Sequence, residues 1–414
     1  MANFLQNVVT YQMANLALLT NLNCFISTAN SKFKNFQEMT ANLGDTVSFD
    51  LPPRFNTQDS LVVNFQNANQ RVQNLVCANA ANVGYAFTSQ EMIFNVEQYM
   101  PRFGVSATAE LGAAIEANVA QNCVTAPFRF YGNGVTPINS YTQLASALAM
   151  FRNFGAAKNN TRGYLSDTIV PGIIGTGLQQ FALDRNNEDA NSWELGMFSN
   201  CEWYQSNLLP IHIAGSVGQA AAPDNVLTVV STTTNADGGV VTITFSGAAD
   251  TDPNSILQYD RFQFNDGVSG YPNLRFLTFI GHEPSASPVQ FQATAQAASS
   301  GGGDVTVSIT PALQASAGPN QNITSPIQAG MQVTVMPSCR NGMIISGDAF
   351  YLAMPRLPDQ SPFLTANAID ETTGVSMRMY FGTLFGQNQQ GMVQDCIWGS
   401  TVVPEYSMAL LFPL

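Results

Sequence analysis

The chain has 414 residues, of which 45% are hydrophobic and only 10% are charged, and its formal net charge at pH 7 is −13. This length suits two or three domains, and the lack of any Lys/Arg run excludes a protein that grips nucleic acid through its phosphates. A surface with so little charge offers little repulsion between copies, so we expect self-association rather than a monomer with an amide-rich surface.

Cysteine spacing and the N-terminal sequence indicate the compartment. The cysteines are Cys24, Cys77, Cys123, Cys201, Cys339 and Cys396. None forms a Cys-x-x-Cys pair, which excludes the common zinc and thioredoxin-like motifs. The start of the chain lacks the basic and apolar regions of a secretion signal, and no segment reaches the roughly 18 apolar residues of a membrane span. We therefore expect synthesis in a reducing cytoplasm, with buried thiols rather than three disulfides.

The first predicted elements are an arm and a hairpin. Residues 2–26 carry apolar side chains at loose helical spacing, which predicts an amphipathic arm. Residues 45–51 and 61–65 alternate as strands and are separated by a polar tip that contains Pro52 and Pro53. This pattern predicts an extended β-hairpin that projects from the body.

Helical segments follow the hairpin. An Ala-rich stretch at 105–124 predicts a long helix, because Ala is the strongest helix former. A second helix is predicted at 141–154 and a short one within 181–203. Residues 214–223, rich in Gly and Ala, read as a hinge. Near the C-terminus, residues 343–345, 377–381 and 408–412 are strand candidates.

The block from 224 to 340 has a different sequence pattern. Residues 240–245 and 305–310 alternate apolar and polar side chains, and turn formers such as the Gly-rich run at 301–303 separate such stretches. Period-two alternation bounded by Gly, Asp and Pro predicts a small β-sandwich or barrel. Since the sequence before the block contains helical segments and the sequence after it has a mixed αβ pattern, with few such alternations on either side, we interpret the block as a module inserted into another domain.

No motif in the chain predicts catalysis, a cofactor site or a metal site. His212 and His282 neighbour no recognised nucleophile, and His212 in an apolar strand is typical of a structural residue. The glycines at 172, 175 and 177 match neither phosphate-binding spacing, so turn or close-packing glycines are expected. Asp250, Asp252 and Asn254 occupy the first three ligand positions of an EF-hand loop. The twelfth position, which should be a Glu that binds calcium, is Arg261, so we expect a surface turn.

Two C-terminal stretches carry a family resemblance. SGDAFYLAMP at 346–355 resembles the x-x-D-A-F-x-L-A strand of major coat proteins of short-tailed phages. IWGSTVVPEYSMA at 397–409 is similar to their closing L-Y-G…P-E-x-A pattern, with Trp398 as the aromatic and one extra residue before Ala409. Phrases within the 224–340 block, DRFQF, VQFQA, VSITP and NIT, resemble that family's barrel insertion in the same order.

The resemblance implies an α+β Hong Kong 97-type capsid fold with an inserted all-β barrel. Its expected parts are an N-terminal arm, an extended hairpin loop, a peripheral domain with a spine helix, an axial domain in two parts and the barrel. The corresponding boundaries are 1–43 for the arm, 44–85 for the hairpin loop, 86–139 for the peripheral domain, 140–223 for the first part of the axial domain and 224–340 for the barrel. Residues 341–414 then return to the axial and peripheral domains.

The implied function is that of a non-enzymatic major capsid protein. Many copies, as hexamers and pentamers, would form an icosahedral virion shell in the host bacterial cytoplasm, enclosing double-stranded DNA without sequence-specific binding. A scaffolding protein and a portal are the implied partners. Residues 45–75 lack Lys, so cross-linking through the hairpin is not expected, and Lys32 and Lys34 alone leave scaffold docking open.

Two other functions are compatible with the sequence. An encapsulin-like nanocompartment shell would share the fold but enclose enzymes, and such shells typically lack a large inserted barrel. A β-rich adhesin or receptor-binding protein is suggested by the polar β block. That class usually carries a secretion signal or a repeat array, and the sequence provides neither.

Overall fold

The structure is a computed structural model. It describes residues 24–30, 46–55, 65, 71–155, 160–177, 196–220, 224–279, 281–360, 363–369, 375–384 and 389–414. The described residues form two compact units. Unit 1 draws on 1–49, 72–122 and 347–402, and unit 2 draws on 50–71, 123–346 and 403–414.

The helices and strands are numbered in chain order. The helices are α1 (Cys24–Thr28), α2 (Ser89–Ala120), α3 (Asn122–Thr125), α4 (Tyr141–Asn153), α5 (Val170–Gly177) and α6 (Ser216–Gln219). The strands up to the barrel are β1 (Thr46–Leu51), β2 (Arg71–Val76), β3 (Asn79–Thr88), β4 (Phe130–Tyr131), β5 (Thr161–Leu165), β6 (Met197–Phe198), β7 (Cys201–Gln205) and β8 (Ile211–His212). The next eight are β9 (Val226–Thr234), β10 (Val240–Ser246), β11 (Arg261–Phe264), β12 (Arg275–Leu277), β13 (Pro284–Pro288), β14 (Gln290–Ala293), β15 (Val305–Leu313) and β16 (Gln332–Val335). The last six are β17 (Cys339–Ser346), β18 (Phe350–Ala353), β19 (Leu364–Ile369), β20 (Ser376–Leu384), β21 (Gln389–Val402) and β22 (Ser407–Phe412).

Unit 1 is built on a five-stranded antiparallel sheet around β21. That strand pairs with β18 and β20, and along most of its length with β3, from Trp398 opposite Asn79 to Gln389 opposite Thr88. The long helix α2 directly follows β3 and packs on β21. Trp398 Nε1 donates to Asn118 Oδ1 of α2 at 3.0 Å, which fixes the helix to the sheet through a side chain.

The short helix α1 also belongs to unit 1. Phe25 is fully buried, and its ring meets Phe350 edge-on with centroids 6.2 Å apart. Asn30 continues the attachment, since its N–H donates to the Phe350 carbonyl at 2.9 Å. Burial of a Phe side chain contributes about 1.5–3 kcal/mol, so this part of the chain is tied to the unit by both apolar burial and backbone pairing.

Unit 2 contains a seven-stranded mixed sheet in the order β4-β22-β17-β5-β7-β6, with β8 paired to β17. The pairs β22–β4 and β5–β7 are parallel, and the others are antiparallel. Gly163 in β5 lies against the Trp203 ring of β7, which leaves no room for a side chain. Helix α4 covers this sheet, and Ser140 caps its N-terminus by accepting from the Gln143 N–H.

The strands between β8 and β17 form a closed six-stranded barrel, in the order β10-β15-β14-β11-β16-β9. Its interior follows the period-two rule, because Val305, Val307 and Ile309 are buried while the side chains between them face out. Three stacked rings fill its centre. The Phe262 and Phe291 centroids lie 4.9 Å apart and nearly parallel, and Phe245 stacks on both.

Most strand and helix predictions on the described residues are confirmed, with two corrections. The predicted hairpin strand at 61–65 lies, except for Phe65, outside the described residues, and the described partner of β1 is β2 at 71–76. The helix predicted at 105–124 begins at Ser89 and ends at Ala120. The hinge at 214–223 contains the helical turn α6. The arm before residue 24 and most of the predicted helix region at 181–203 lie outside the described residues, and the described end of that region is β6 and β7.

Candidate functional site

Three arginines and one glutamate converge in unit 2, in a cluster that we call the arginine junction: Arg54, Arg71, Arg129 and Glu405. Arg54 Nη2 donates to Glu405 Oε1 at 2.6 Å, and Arg71 Nη2 donates to the same oxygen. Arg129 Nη2 donates to the Glu405 backbone carbonyl at 3.1 Å. One residue therefore binds three guanidinium groups through its side chain and its backbone.

The local fold explains how these side chains meet. Arg54 follows β1 after two prolines, and Arg71 is the first residue of β2, so both lie at the strand ends that the connecting segment joins. Glu405 lies in a 3-10 turn, Pro404–Tyr406, which separates β21 from β22. Proline at the first position fixes the backbone angle at the start of that turn. Arg129 precedes β4, and its carbonyl accepts from the Ala409 N–H of β22 at 2.9 Å.

Aromatic rings pack between the arginines. The Arg54 guanidinium lies 4.3 Å from the Phe279 ring centroid, and that of Arg129 lies 3.9 Å from the Phe154 centroid. The two rings contact each other at 4.3 Å between centroids. Cations over ring faces contribute about 0.5–2 kcal/mol each, so the stack holds the guanidinium groups while shielding them from water.

Shielding from water has an electrostatic cost. Burial lowers the pKa of Arg129 to about 9, against the opposing charge of Glu405. Burial also lowers the pKa of Arg54; Glu405 opposes that shift, and the charge of Arg71 adds to it. The junction is therefore a charged site that depends on its one carboxylate for compensation.

A second set of buried polar side chains, which we call the barrel anchor, joins the barrel to the rest of unit 2. Arg261 of β11 is almost fully buried, and its Nη1 donates to Asn341 Oδ1 at 2.5 Å. Its Nη2 donates to the carbonyls of Cys123 and Val124, both at 3.2 Å. Gln292 of β14 donates to the Val124 carbonyl at 2.6 Å.

Two further barrel residues extend the anchor. Gln290 pairs with the backbone of Phe130 like an extra strand residue, accepting from its N–H and donating to its carbonyl, both at 3.0 Å. Asp260 is fully buried and accepts from the Gly215 N–H at 3.0 Å. Its other oxygen lies 2.8 Å from His212 Nε2. Every one of these bonds ties a barrel side chain to the surrounding body.

The structure places the residues that the sequence singled out at separate points of unit 2. His212 is buried, and its Nε2 lies against the buried Asp260 carboxylate. His282 lies in a connection with a positive φ of 51°. The glycines at 172–177 are not in a turn, because they lie in α5. Asp252 accepts from the Asn254 N–H at 2.9 Å, which confirms the surface turn.

Catalytic, metal and cofactor residues were predicted to be absent, and the described chain brings none of the singled-out residues together as such a constellation. No group of three or more His, Cys, Asp or Glu in the described part of the chain is arranged to hold a metal. Within that same part, no helix is long and apolar enough to cross a membrane. All six cysteines lie in the described part of the chain, and none of them forms a disulfide.

Sequence reasoning missed both polar clusters. Glu405 and Arg261 stood within phrases that were read for family resemblance, without a role assigned to either. The low number of charged residues could have indicated these clusters. Only 15 Lys and Arg occur in the chain, so an arginine inside an alternating apolar strand such as β11 indicates a buried polar contact.

Comparison with known proteins gives structural likeness alone. No family model matches the chain, and no curated protein matches it. A solved structure from Mycobacterium phage Che8 is similar at 7% identity and a TM-score of 0.47, covering 94% of this chain and 90% of its own. The capsid of Ralstonia phage GP4 is similar at 8% identity and a TM-score of 0.44, and the match covers 94% of this chain and 88% of the GP4 chain. A virus-like particle from Pyrococcus furiosus is similar at 6% identity and a TM-score of 0.40, and the match covers 97% of each chain. The structures of similar fold are mostly phage capsids, and since these TM-scores lie below 0.5, the function proposed below rests on the chain's own elements.

Proposed function

We propose that this chain is the major capsid protein of a tailed phage, with a Hong Kong 97-type fold and an inserted barrel. Hundreds of copies assemble into a closed icosahedral shell that encloses double-stranded DNA. The chain acts by association, and it catalyses no reaction.

One observation carries the proposal: the order in which the elements follow each other. A tethered arm segment, a hairpin with arginines at the loop ends of its strands, a 32-residue helix packed on a long strand, and a mixed sheet occur in the sequence order expected of that fold. The barrel strands lie between β8 and β17, two strands that pair with each other in the mixed sheet. Adjacent entry and exit strands are what an insertion into a pre-existing sheet requires.

The charge distribution supports the same function. A chain with a net charge of −13 and only 10% charged residues repels packaged DNA without strongly repelling its own copies. The barrel anchor supports a mechanical role, because buried hydrogen bonds between barrel and body resist displacement of the barrel when the shell is loaded.

Recombinant expression tests the proposal. We expect the purified chain, alone or with a co-expressed scaffolding protein, to sediment as particles of many copies that appear as shells in negative-stain micrographs. A strictly monomeric species under both conditions would contradict the proposal. Shells that enclose a protein cargo in place of DNA would point to the nanocompartment function.

A further inference from the structure

Positive charge exceeds negative charge in the arginine junction. Among the described residues there, three guanidinium groups share one carboxylate, and Arg54 and Arg71 both bind its Oε1. A guanidinium has five N–H donors, so one shared oxygen leaves most donors of Arg54 and Arg71 available to a further acceptor. Burial, and to a smaller extent the charge of Arg71, lower the pKa of Arg54, and a second anion at the junction would oppose both effects.

The two hairpin arginines are accessible from solvent. Their side chains are 16% and 28% exposed for Arg54 and Arg71, whereas Arg129 is almost fully buried. Phe55, next to Arg54, is 59% exposed. Arginine beside an exposed aromatic ring is a composition enriched at the centres of protein–protein interfaces.

The barrel offers charge of the opposite sign. Residues 224–338 contain eight Asp and Glu against two Arg, which gives that segment a net charge of −6. One of the arginines, Arg261, is buried in the barrel anchor, and the other, Arg275, already pairs with Asp266 at 2.7 Å. The remaining exposed carboxylates of the barrel therefore have no cation of their own segment.

Two of these carboxylates lie together at one end of the barrel. Asp250 and Asp304 are exposed, in loops that backbone hydrogen bonds join, from Ala248 N–H to the Gly303 carbonyl and from Thr251 N–H to the Ser300 carbonyl, both at 3.1 Å. Neither carboxylate has an ion-pair partner among the described residues. We call Asp250 and Asp304 the acidic loop pair.

We propose that the arginine junction of one copy binds the acidic loop pair of a second copy. The inference rests on the proposed function, since it requires copies to associate. The two surfaces differ, so the contact is heterologous, and repeated head-to-tail contacts of this kind link copies into rings. The complementary charges would steer the encounter and set which surfaces meet.

Charge variants of the assembling chain test this contact, with the critical concentration for assembly as the readout. We expect D250N/D304N to raise it about tenfold, as loss of a close interfacial charge pair does. The control D224N/D237N removes two exposed and, among the described residues, unpaired charges from other positions of the same segment, and it should change the critical concentration less than about twofold. R71E should also raise it about tenfold, and R71E combined with D304R should recover most of that loss. The melting temperature of the unassembled chain checks folding.

The outcomes separate the contact from the function. Equal critical concentrations for D250N/D304N and its control overturn the contact, as does a failure of D304R to improve R71E. If R71E does not fold, the loop variants decide alone, because they touch no residue of the junction. A further outcome is that the wild-type chain binds DNA in a way that R71E abolishes, while D250N/D304N leaves assembly unchanged. That result would show that the junction binds phosphate, and it would overturn the proposal. A wild-type chain that never assembles removes the proposed function as well.

Discussion

Single polar residues determine how the barrel is held. A buried guanidinium is unfavourable unless its N–H groups are bonded, and Arg261 bonds both of its Nη atoms, to two backbone carbonyls and the Asn341 side chain. Because those acceptors lie outside the barrel, the bonds form only when the barrel sits in its native position. Arg261 therefore contributes positional specificity in addition to stability.

Replacement of Arg261 by Met should lower the free energy of unfolding by roughly 3–5 kcal/mol, because it leaves three buried acceptors without the charged donor that they bind. Arg275→Met is the matched control, since Arg275 forms a partly exposed pair with Asp266 and its loss should cost about 1 kcal/mol or less. Denaturant unfolding of both variants measures the difference. Equal losses would show that the anchor adds nothing beyond an ordinary surface pair.

Buried thiols predict an alkaline dependence of stability. Burial raises the pKa of Cys123, Cys201 and Cys396 from 9.0 to about 12. Between these values the unfolded chain binds fewer protons than the native one, so this contribution to stability is complete below pH 9 and is lost as the pH rises towards 12. Cys396→Ala should therefore make the decline shallower by up to about 1.4 kcal/mol per pH unit. Unfolding free energies at pH 8 and pH 10.5 measure it, and parallel slopes for both chains would contradict it.

At the scale of elements, the sequence predicts the features that depend on residues close together in the chain. Alternation located β10 and β15 almost to the residue, and apolar periodicity located α4, because each pattern is set by one face of one element. Strand partners are not local. The pattern at 71–76 was not predicted as a strand, although β2 pairs with β1, because nothing within either stretch specifies which strand it pairs with.

The arm gives an element-scale prediction. Deletion of residues 1–22 should leave the melting temperature of the subunit nearly unchanged but impair assembly, if the arm contacts neighbouring copies. Deletion of residues 1–30 should in addition lower the stability by several kcal/mol, because it removes the buried Phe25 and Ile26. Thermal melting and sedimentation of the two truncated chains distinguish the effects. Normal shells from the shorter truncation would show that the arm plays no part in assembly.

At the scale of the whole molecule, the chain combines two kinds of construction. Apolar cores fill the barrel and the mixed sheet, and buried polar contacts join the barrel to its surroundings. The α+β class and the barrel could be predicted from sequence, because both follow from the placement of alternating and helical stretches. The arginine junction could not, because Glu405 is at least 276 residues from each of the three arginines in sequence and only the folded chain brings them together.

The central claim is that copies of this 44.5 kDa chain close into an icosahedral shell. Cryo-electron microscopy of the particles that the recombinant chain forms tests it most directly. The account predicts closed shells in which the chain occupies both pentamers and hexamers, with one barrel resolved on every subunit. Open filaments, or a single chain that remains monomeric at concentrations where coat proteins assemble, would contradict it.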